Sequence, residues 1–149
     1  MRSEWDDLGI PNEDAYHPVE TADFGGRGRT DQQLYLRIPK RGTAFPAVVW
    51  FHGGGLTGGG REVPDALFDG RMAVIEARYR LSPEFPAPAA LADAVAATAW
   101  TLKRAEARGI DPERVFVGGM SAGAWLAAMT GMDRSYLAAY GIDSRKLAG

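Results

Sequence analysis

The sequence contains no cysteine and only two histidines, His17 and His52. The lack of cysteine excludes disulfide bonds, thiolate catalysis and every cysteine-ligated zinc or iron–sulfur site. The scarcity of histidine leaves few side chains that could act as a general base near neutral pH. We expect neither a metal nor a cofactor.

The chain also lacks a strong charge of either sign and a long hydrophobic run. Its 17 Lys and Arg against 19 Asp and Glu give a net charge of −2, so nothing in the charge favours binding to nucleic acid or an anionic membrane. The longest apolar stretch, residues 87–99, is interrupted by Pro88, Asp93 and Thr98. It is shorter than the roughly 20 residues of a membrane-spanning helix. The acidic N-terminus lacks the hydrophobic core of a secretory signal, which favours a cytoplasmic location.

Short apolar runs alternate with helical patterns along the chain. A length of 149 residues with 46% hydrophobic residues suits one globular domain. The patterns predict strands at 19–24, 33–38, 47–51, 72–77 and 115–117, and helices at 89–108, from 121 to Gly131, and at 134–140. This alternation predicts an α/β fold with a doubly wound, mostly parallel sheet. We expect an irregular N-terminal arm at 1–31 and a domain at 32–149, truncated where the alternation would place another strand.

Side chains in these elements divide into expected core and expected surface. Apolar residues recur from Leu91 to Leu102 at helical spacing, and Asp93 is expected on the opposite, solvated face. Trp50, Trp100 and Trp125 are expected to pack in the core, whereas Trp5 in the arm could pack or contact substrate.

The segment Gly119-Met120-Ser121-Ala122-Gly123 lies between a predicted strand and a predicted helix. In that context G-x-S-x-G predicts a nucleophile elbow, a tight turn that presents the serine oxygen in a strained conformation. The small residues on either side let strand and helix approach closely, and the Ala122 N–H lies at the helix N-terminus, where an oxyanion is favoured. The alternative is a glycine-rich turn in which Ser121 only caps the helix.

The segment His52-Gly53-Gly54-Gly55 directly follows the predicted strand 47–51 and opens a stretch that we call the glycine loop (residues 52–60). Consecutive glycines let backbone N–H groups turn inward without side chains in the way. The N–H groups of Gly54, Gly55 and Ala122 are therefore predicted to form an oxyanion hole. His52 and Gly53 are expected to fix the loop, with His52 acting through hydrogen bonds rather than as a base.

The residues that follow these glycines have open interpretations. Leu56 and Thr57 could border an acyl pocket or lie on the surface. Arg61 could contact an anionic substrate or remain a solvated charge.

The glycine loop also matches the dinucleotide fingerprint G-x-G-x-x-G at Gly53, Gly55 and Gly58, with Glu76 near the place of a ribose-binding acid. Two features argue against this alternative. Residues 58–64 do not open a good helix, which a pyrophosphate site requires, and the turn around Ser121 would be left unexplained.

Taken together, the two motifs resemble the α/β-hydrolase fold in its carboxylesterase and lipase branch, which has an HGGG oxyanion loop. Residues 76–84 (EARYRLSPE) look like the Y-R-L-(S/A)-P-E stretch of these enzymes, and residues 115–128 look like their nucleophile strand, elbow and helix. Residues 133–149 resemble a subgroup called BD-FAE, which is related to feruloyl esterases and arylformamidases. The resemblance covers residues 30–149 and implies acyl transfer from small ester or amide substrates through Ser121.

The chain departs from the family pattern in two places. Met120 stands where many relatives have His, Asp or Glu, which implies a change in pocket polarity. In this fold the acid and then the histidine follow the serine along the chain. After Ser121 the sequence has Asp133 and Asp143, both too early for the triad acid, and no histidine. His17 would have to act from a non-homologous position.

The sequence thus predicts a carboxylesterase-type serine hydrolase whose triad acid and base are absent from these residues. The alternative is a catalytically inactive fragment that acts as a binding or interaction module. Because half of such a sheet exposes an apolar edge, we expect self-association or a complementary C-terminal half.

Overall fold

A computed structural model describes residue 5 and residues 7–149. The described chain forms one five-stranded sheet with strand order β1-β2-β4-β3-β5. The strands are β1 (Glu20–Asp23), β2 (Gln33–Arg37), β3 (Phe45–Phe51), β4 (Ala73–Ala77) and β5 (Ile110–Gly119), and the helices are α1 (Ala89–Arg104), α2 (Ala122–Met132) and α3 (Arg134–Ala138). β3 pairs in parallel with β4 and β5, whereas β1 and β2 add antiparallel strands at one edge. The predicted α/β class is confirmed.

The sheet is covered on both faces, by different kinds of structure. Alternate side chains such as Val49 and Ile75 face the main core, where all three α-helices pack. Val48 and Val74 face the opposite side, where irregular chain around Tyr16 and Phe68 covers them. The second layer of the doubly wound arrangement is therefore built from loops and short 3-10 turns in the described part of the chain.

Several predicted element boundaries were wrong. β5 begins five residues earlier than predicted, and α1 ends at Arg104, followed by a separate 3-10 turn, Glu106–Arg108. Gly109 closes that turn with φ 72°, a left-handed conformation that glycine adopts readily. Gly131 does not end α2, which continues to Met132, and Asp133 then caps α3.

Two predicted side-chain environments were also wrong. Asp93 is 2% exposed rather than solvated, because it accepts hydrogen bonds from Gln32 and from the guanidinium of Arg80. Trp125 is 48% exposed rather than in the core. Trp50 and Trp100 are half-buried and pack against the two cores.

The described part of residues 1–31 is packed rather than detached. β1 pairs with β2, and Tyr16 is 2% exposed in the second core. The domain boundary after residue 31 stays a prediction.

At the other edge of the sheet, residues 147–149 run beside β5. A parallel bridge joins Val115 to Leu147, and the Ala148 N–H donates to the Val115 carbonyl over 2.8 Å. An apolar groove of about 520 Å³ lies between this segment and α2, beside the exposed Met132. In the described part of the chain, every helix is too short or too polar to span a membrane.

Candidate active site

The carboxyl ends of β3 and β5 bring the glycine loop and the Ser121 turn side by side. Phe51 at the end of β3 pairs with Gly119 at the end of β5, and the Met120 N–H donates to the Phe51 carbonyl over 3.2 Å. A β-carbon placed on Gly53 would lie 3.4 Å from Ser121 Cβ. The two sequence motifs, 66 residues apart along the chain, are therefore neighbours in space.

The backbone of Ser121 is strained. Its φ of 51° and ψ of −117° lie in a region that side-chain-bearing residues rarely adopt, at a cost of about 1–3 kcal/mol. Ser121 stands immediately before α2, but its side chain makes no hydrogen bond that caps the helix. The alternative role as a helix cap therefore has no support from the geometry.

Gly119 and Gly123 make the tight turn sterically possible. A β-carbon on Gly119 would lie 2.6 Å from the Phe51 carbonyl oxygen, and one on Gly123 would collide with that same oxygen and with the His52 carbonyl. These are backbone atoms that cannot rotate away. The turn thus tolerates only glycine at the two positions that flank the Met-Ser-Ala segment.

The glycine loop turns on itself through backbone conformations that favour glycine. Gly54 and Gly55 have φ values of 121° and 63°. The Gly54 carbonyl accepts hydrogen bonds from Thr57 and Gly58, both over 3.1 Å. Among the described residues, none accepts a hydrogen bond from the N–H of Gly54, Gly55 or Ala122. Within the described part of the chain, these three backbone donors are thus available to an acceptor.

His52, the first residue of the glycine loop, is almost fully buried. Its ring stacks on Tyr79 with centroids 4.3 Å apart, and its Nδ1 lies 2.6 Å from the Gly53 carbonyl oxygen. The Tyr79 hydroxyl donates to the His52 carbonyl over 2.5 Å. Burial, aided by the charge of Glu62, raises the pKa of Tyr79 well above its ordinary value, which keeps this donor protonated.

Glu62 contacts the glycine loop, a role that the sequence did not predict. Its carboxylate accepts a hydrogen bond from the Gly53 N–H over 3.2 Å, and its own carbonyl accepts one from Trp50 Nε1 over 2.5 Å. A cavity of about 590 Å³ opens here between the loop and Asp7 and Gly9 of the N-terminal segment. No sequence pattern marks Glu62, because the hydrogen bond depends on how the loop folds back.

Arg61 and Glu76 form a partly buried ion pair with each other. The guanidinium contacts both carboxylate oxygens, over 2.9 and 2.8 Å, and also donates to the carbonyls of Asp7 and Gly9. Arg61 is thus neither solvated nor available to an anionic substrate, and Glu76, 2% exposed, cannot reach a ribose. The dinucleotide alternative fails further because only a 3-10 turn, Asp65–Leu67, follows the glycine loop.

The remaining candidates for acid–base chemistry lie elsewhere. The backbone N–H of His17 donates a hydrogen bond to the Ile38 carbonyl, just after the end of β2 at Arg37. Arg37 pairs with Val74 at the start of β4, whereas Ser121 follows the carboxyl ends of the parallel strands. His17 therefore lies at the opposite end of the sheet from Ser121. Asp133 caps α3, and hydrogen bonds from Ser135 lower its pKa. The Arg145 side chain lowers the pKa of Asp143 to about 2. Within the described residues, no group of three His, Asp or Glu side chains is arranged to hold a metal ion.

Comparison with known proteins places this geometry in a family. A family model described as an alpha/beta hydrolase fold matches residues 48–135, more than half of the chain and both motifs. The chain belongs to the α/β-hydrolase family. The expected resemblance is therefore confirmed.

Among the relatives of this chain are proteins named as esterases. Carboxylic ester hydrolase LipN of Mycobacterium tuberculosis is 45% identical over 97 residues, which cover 61% of this chain and 26% of LipN. Carboxylesterase NlhH of the same species is 38% identical over 119 residues, covering 74% of this chain and 37% of NlhH. The solved hyperthermophilic esterase of the archaeon Pyrobaculum calidifontis is 34% identical with a TM-score of 0.62, covering 78% of this chain and 38% of that one. The chain thus spans between about a quarter and two fifths of the length of these relatives.

Proposed function

We propose that this chain supplies the nucleophile and the oxyanion hole of a serine carboxylesterase. The observation that carries the proposal is the juxtaposition of the strained Ser121 with the start of the glycine loop, where the described residues offer no acceptor to the N–H groups of Gly54 and Gly55, or to that of Ala122. The names of the relatives, carboxylesterase and carboxylic ester hydrolase, support an ester of a carboxylic acid as the substrate.

In this proposal the Ser121 oxygen attacks the carbonyl carbon of a small ester. A base takes the hydroxyl proton, the carbonyl π electrons move to oxygen, and the three N–H groups donate to the resulting oxyanion. Collapse of the tetrahedral intermediate breaks the bond to the alcohol, which takes the proton, and leaves an acyl-enzyme on Ser121. Water then attacks the acyl group by the same steps in reverse and releases the acid.

The base is proposed to come from a histidine outside these 149 residues, on a complementary segment or on a second polypeptide. His17 lies at the opposite end of the sheet, and His52 is buried in contact with the rings of Trp5 and Tyr79. Loss of the base from a serine triad typically lowers kcat about 10⁶-fold, whereas binding and the oxyanion hole alone still give about 10³–10⁴-fold over water. The chain alone is therefore expected to react slowly.

A fluorophosphonate probe in the presence of millimolar imidazole tests the proposal, because free imidazole can replace the missing base. We expect intact mass measurement to find a single adduct, formed faster with imidazole and mapped to Ser121. Ser121→Ala should give no adduct. Ser135→Ala, which removes an exposed serine at the start of α3, should label like the unmodified chain and is the matched control.

Absence of any adduct at Ser121 with imidazole present would overturn the proposal and favour a binding module instead. Adducts spread over several serines and tyrosines would overturn it as well, because they would show that the turn does not activate Ser121.

A further inference from the structure

Trp5 of the N-terminal segment contacts the first residue of the glycine loop. Trp5 is 8% exposed, although it lies near the start of the chain. Its ring meets the His52 ring edge-on, with centroids 5.7 Å apart, and stacks on Tyr35 at 5.2 Å. The Arg78 guanidinium lies 5.1 Å from the same ring. Trp5 therefore sits in a pocket built from three separate strands and their following loops.

We infer that Trp5 is a positioning residue that holds the glycine loop in its oxyanion-binding shape through His52. The His52 ring contacts two aromatic rings, Trp5 edge-on and Tyr79 by stacking. Removing Trp5 would remove an aromatic contact of the imidazole at the first residue of the glycine loop. Aromatic pairs of this kind contribute more to the stability of the folded chain than the burial of their surface area alone.

Backbone contacts of the following residues support this role. The guanidinium of Arg37 donates to the Leu8 carbonyl, and that of Arg61 donates to the carbonyls of Asp7 and Gly9. Arg61 is in turn fixed by Glu76. Residues 7–9 are thus tied to the sheet beside the cavity at the glycine loop, which keeps Trp5 next to His52.

Hydrogen exchange measured by mass spectrometry on the full chain tests the inference. In Trp5→Ala, we expect the peptide that covers residues 52–60 to exchange about tenfold faster, with α1 and β5 unchanged. Trp5→Phe should restore most of the protection, because an aromatic ring can still pack on His52. Trp100→Ala removes a half-buried tryptophan from α1 and is the matched control; it should leave residues 52–60 at the original rate.

Unchanged exchange at residues 52–60 in Trp5→Ala would overturn the inference. An equal acceleration in every peptide would also overturn it, because Trp5 would then act only on global stability. The catalytic consequence rests on the proposed function: Ser121 labelling with imidazole should slow about tenfold in Trp5→Ala and recover in Trp5→Phe. Failure of Ser121 to label in the unmodified chain would contradict the proposed function, while the exchange result would still decide the role of Trp5.

Discussion

Two glycines in the same helix, Gly123 and Gly131, should respond in opposite ways to the same substitution. A β-carbon on Gly123 would collide with the carbonyl oxygens of Phe51 and His52, whereas one on Gly131 would lie 3.9 Å from Leu147 Cδ1 and Val117 Cγ2, an ordinary contact distance. Alanine at position 123 would force α2 away from the backbone of residues 51 and 52, whereas alanine at position 131 would fit without a clash. Comparing the two variants therefore separates the effect of close backbone packing from the effect of helix propensity.

The expected magnitudes follow from these distances. Alanine is favoured over glycine in a helix by about 0.8–1.0 kcal/mol, and Gly131 lies in the last turn of α2, so Gly131→Ala should stabilise by about 0.5 kcal/mol. In Gly123→Ala the overpacking of backbone against backbone, about 3 kcal/mol, should exceed any gain in helix propensity. Urea unfolding followed by circular dichroism measures both. With a slope near 2 kcal/mol per M, the midpoint should rise by about 0.25 M in Gly131→Ala and fall by about 1 M in Gly123→Ala.

A shift in the same direction for both variants would refute the reasoning. If Gly123→Ala were as stable as the unmodified chain, β3 and α2 could not approach each other as closely as they do in the structure. Labelling of Ser121 in the presence of imidazole supplies a second measurement, and we expect it to be lost in Gly123→Ala and retained in Gly131→Ala.

Three further predictions concern contacts around the site. Asp93→Ala should lower the free energy of unfolding by about 3 kcal/mol, measured in urea, because the Arg80 guanidinium loses its buried partner; Arg80→Leu in the same chain should recover part of the loss. The pKa of Tyr79 is raised above its unfolded value near 10, so the free energy of unfolding should decrease as the pH rises above 10, by up to about 1.4 kcal/mol per pH unit. Urea midpoints measured at pH 8 and pH 11 should therefore differ less in Tyr79→Phe than in the unmodified chain. Glu62→Gln keeps an acceptor for the Gly53 N–H, so Ser121 should be labelled with imidazole at least as fast as in the unmodified chain. Glu62→Ala removes that acceptor and should slow the labelling about tenfold. Equal labelling rates in the two variants would contradict the positioning role of Glu62.

Local patterns predicted the strands and the juxtaposition of the two motifs, because strand periodicity and glycine conformation act over a few residues. The carboxyl ends of neighbouring parallel strands meet at one edge of a sheet, so the glycine loop and the Ser121 turn were expected together. The strained backbone of Ser121 follows from the same turn geometry.

Environments set by distant residues could not be predicted in this way. A lone Asp93 on an alanine-rich helix has the pattern of a solvated face, and only the fold brings Arg80 and Gln32 to it. Trp125 is a large apolar side chain of the kind found in cores, but the described residues leave it 48% exposed on α2. Gly131 has the sequence signal of a helix end, yet α2 continues through it and ends where Asp133 begins to cap α3.

The strain at Ser121 bears on whether the site can form without its base. About 1–3 kcal/mol of backbone strain persists only if the surrounding packing exceeds it. That packing comes from β3, β5 and α2, since the Phe51 carbonyl lies against both Gly119 and Gly123, and Leu126 one turn along the helix is fully buried. No contact from a triad histidine or acid is needed for any of it. The nucleophile and the oxyanion donors are therefore expected to hold their geometry in this chain alone, so that a base added from solution meets a site already formed.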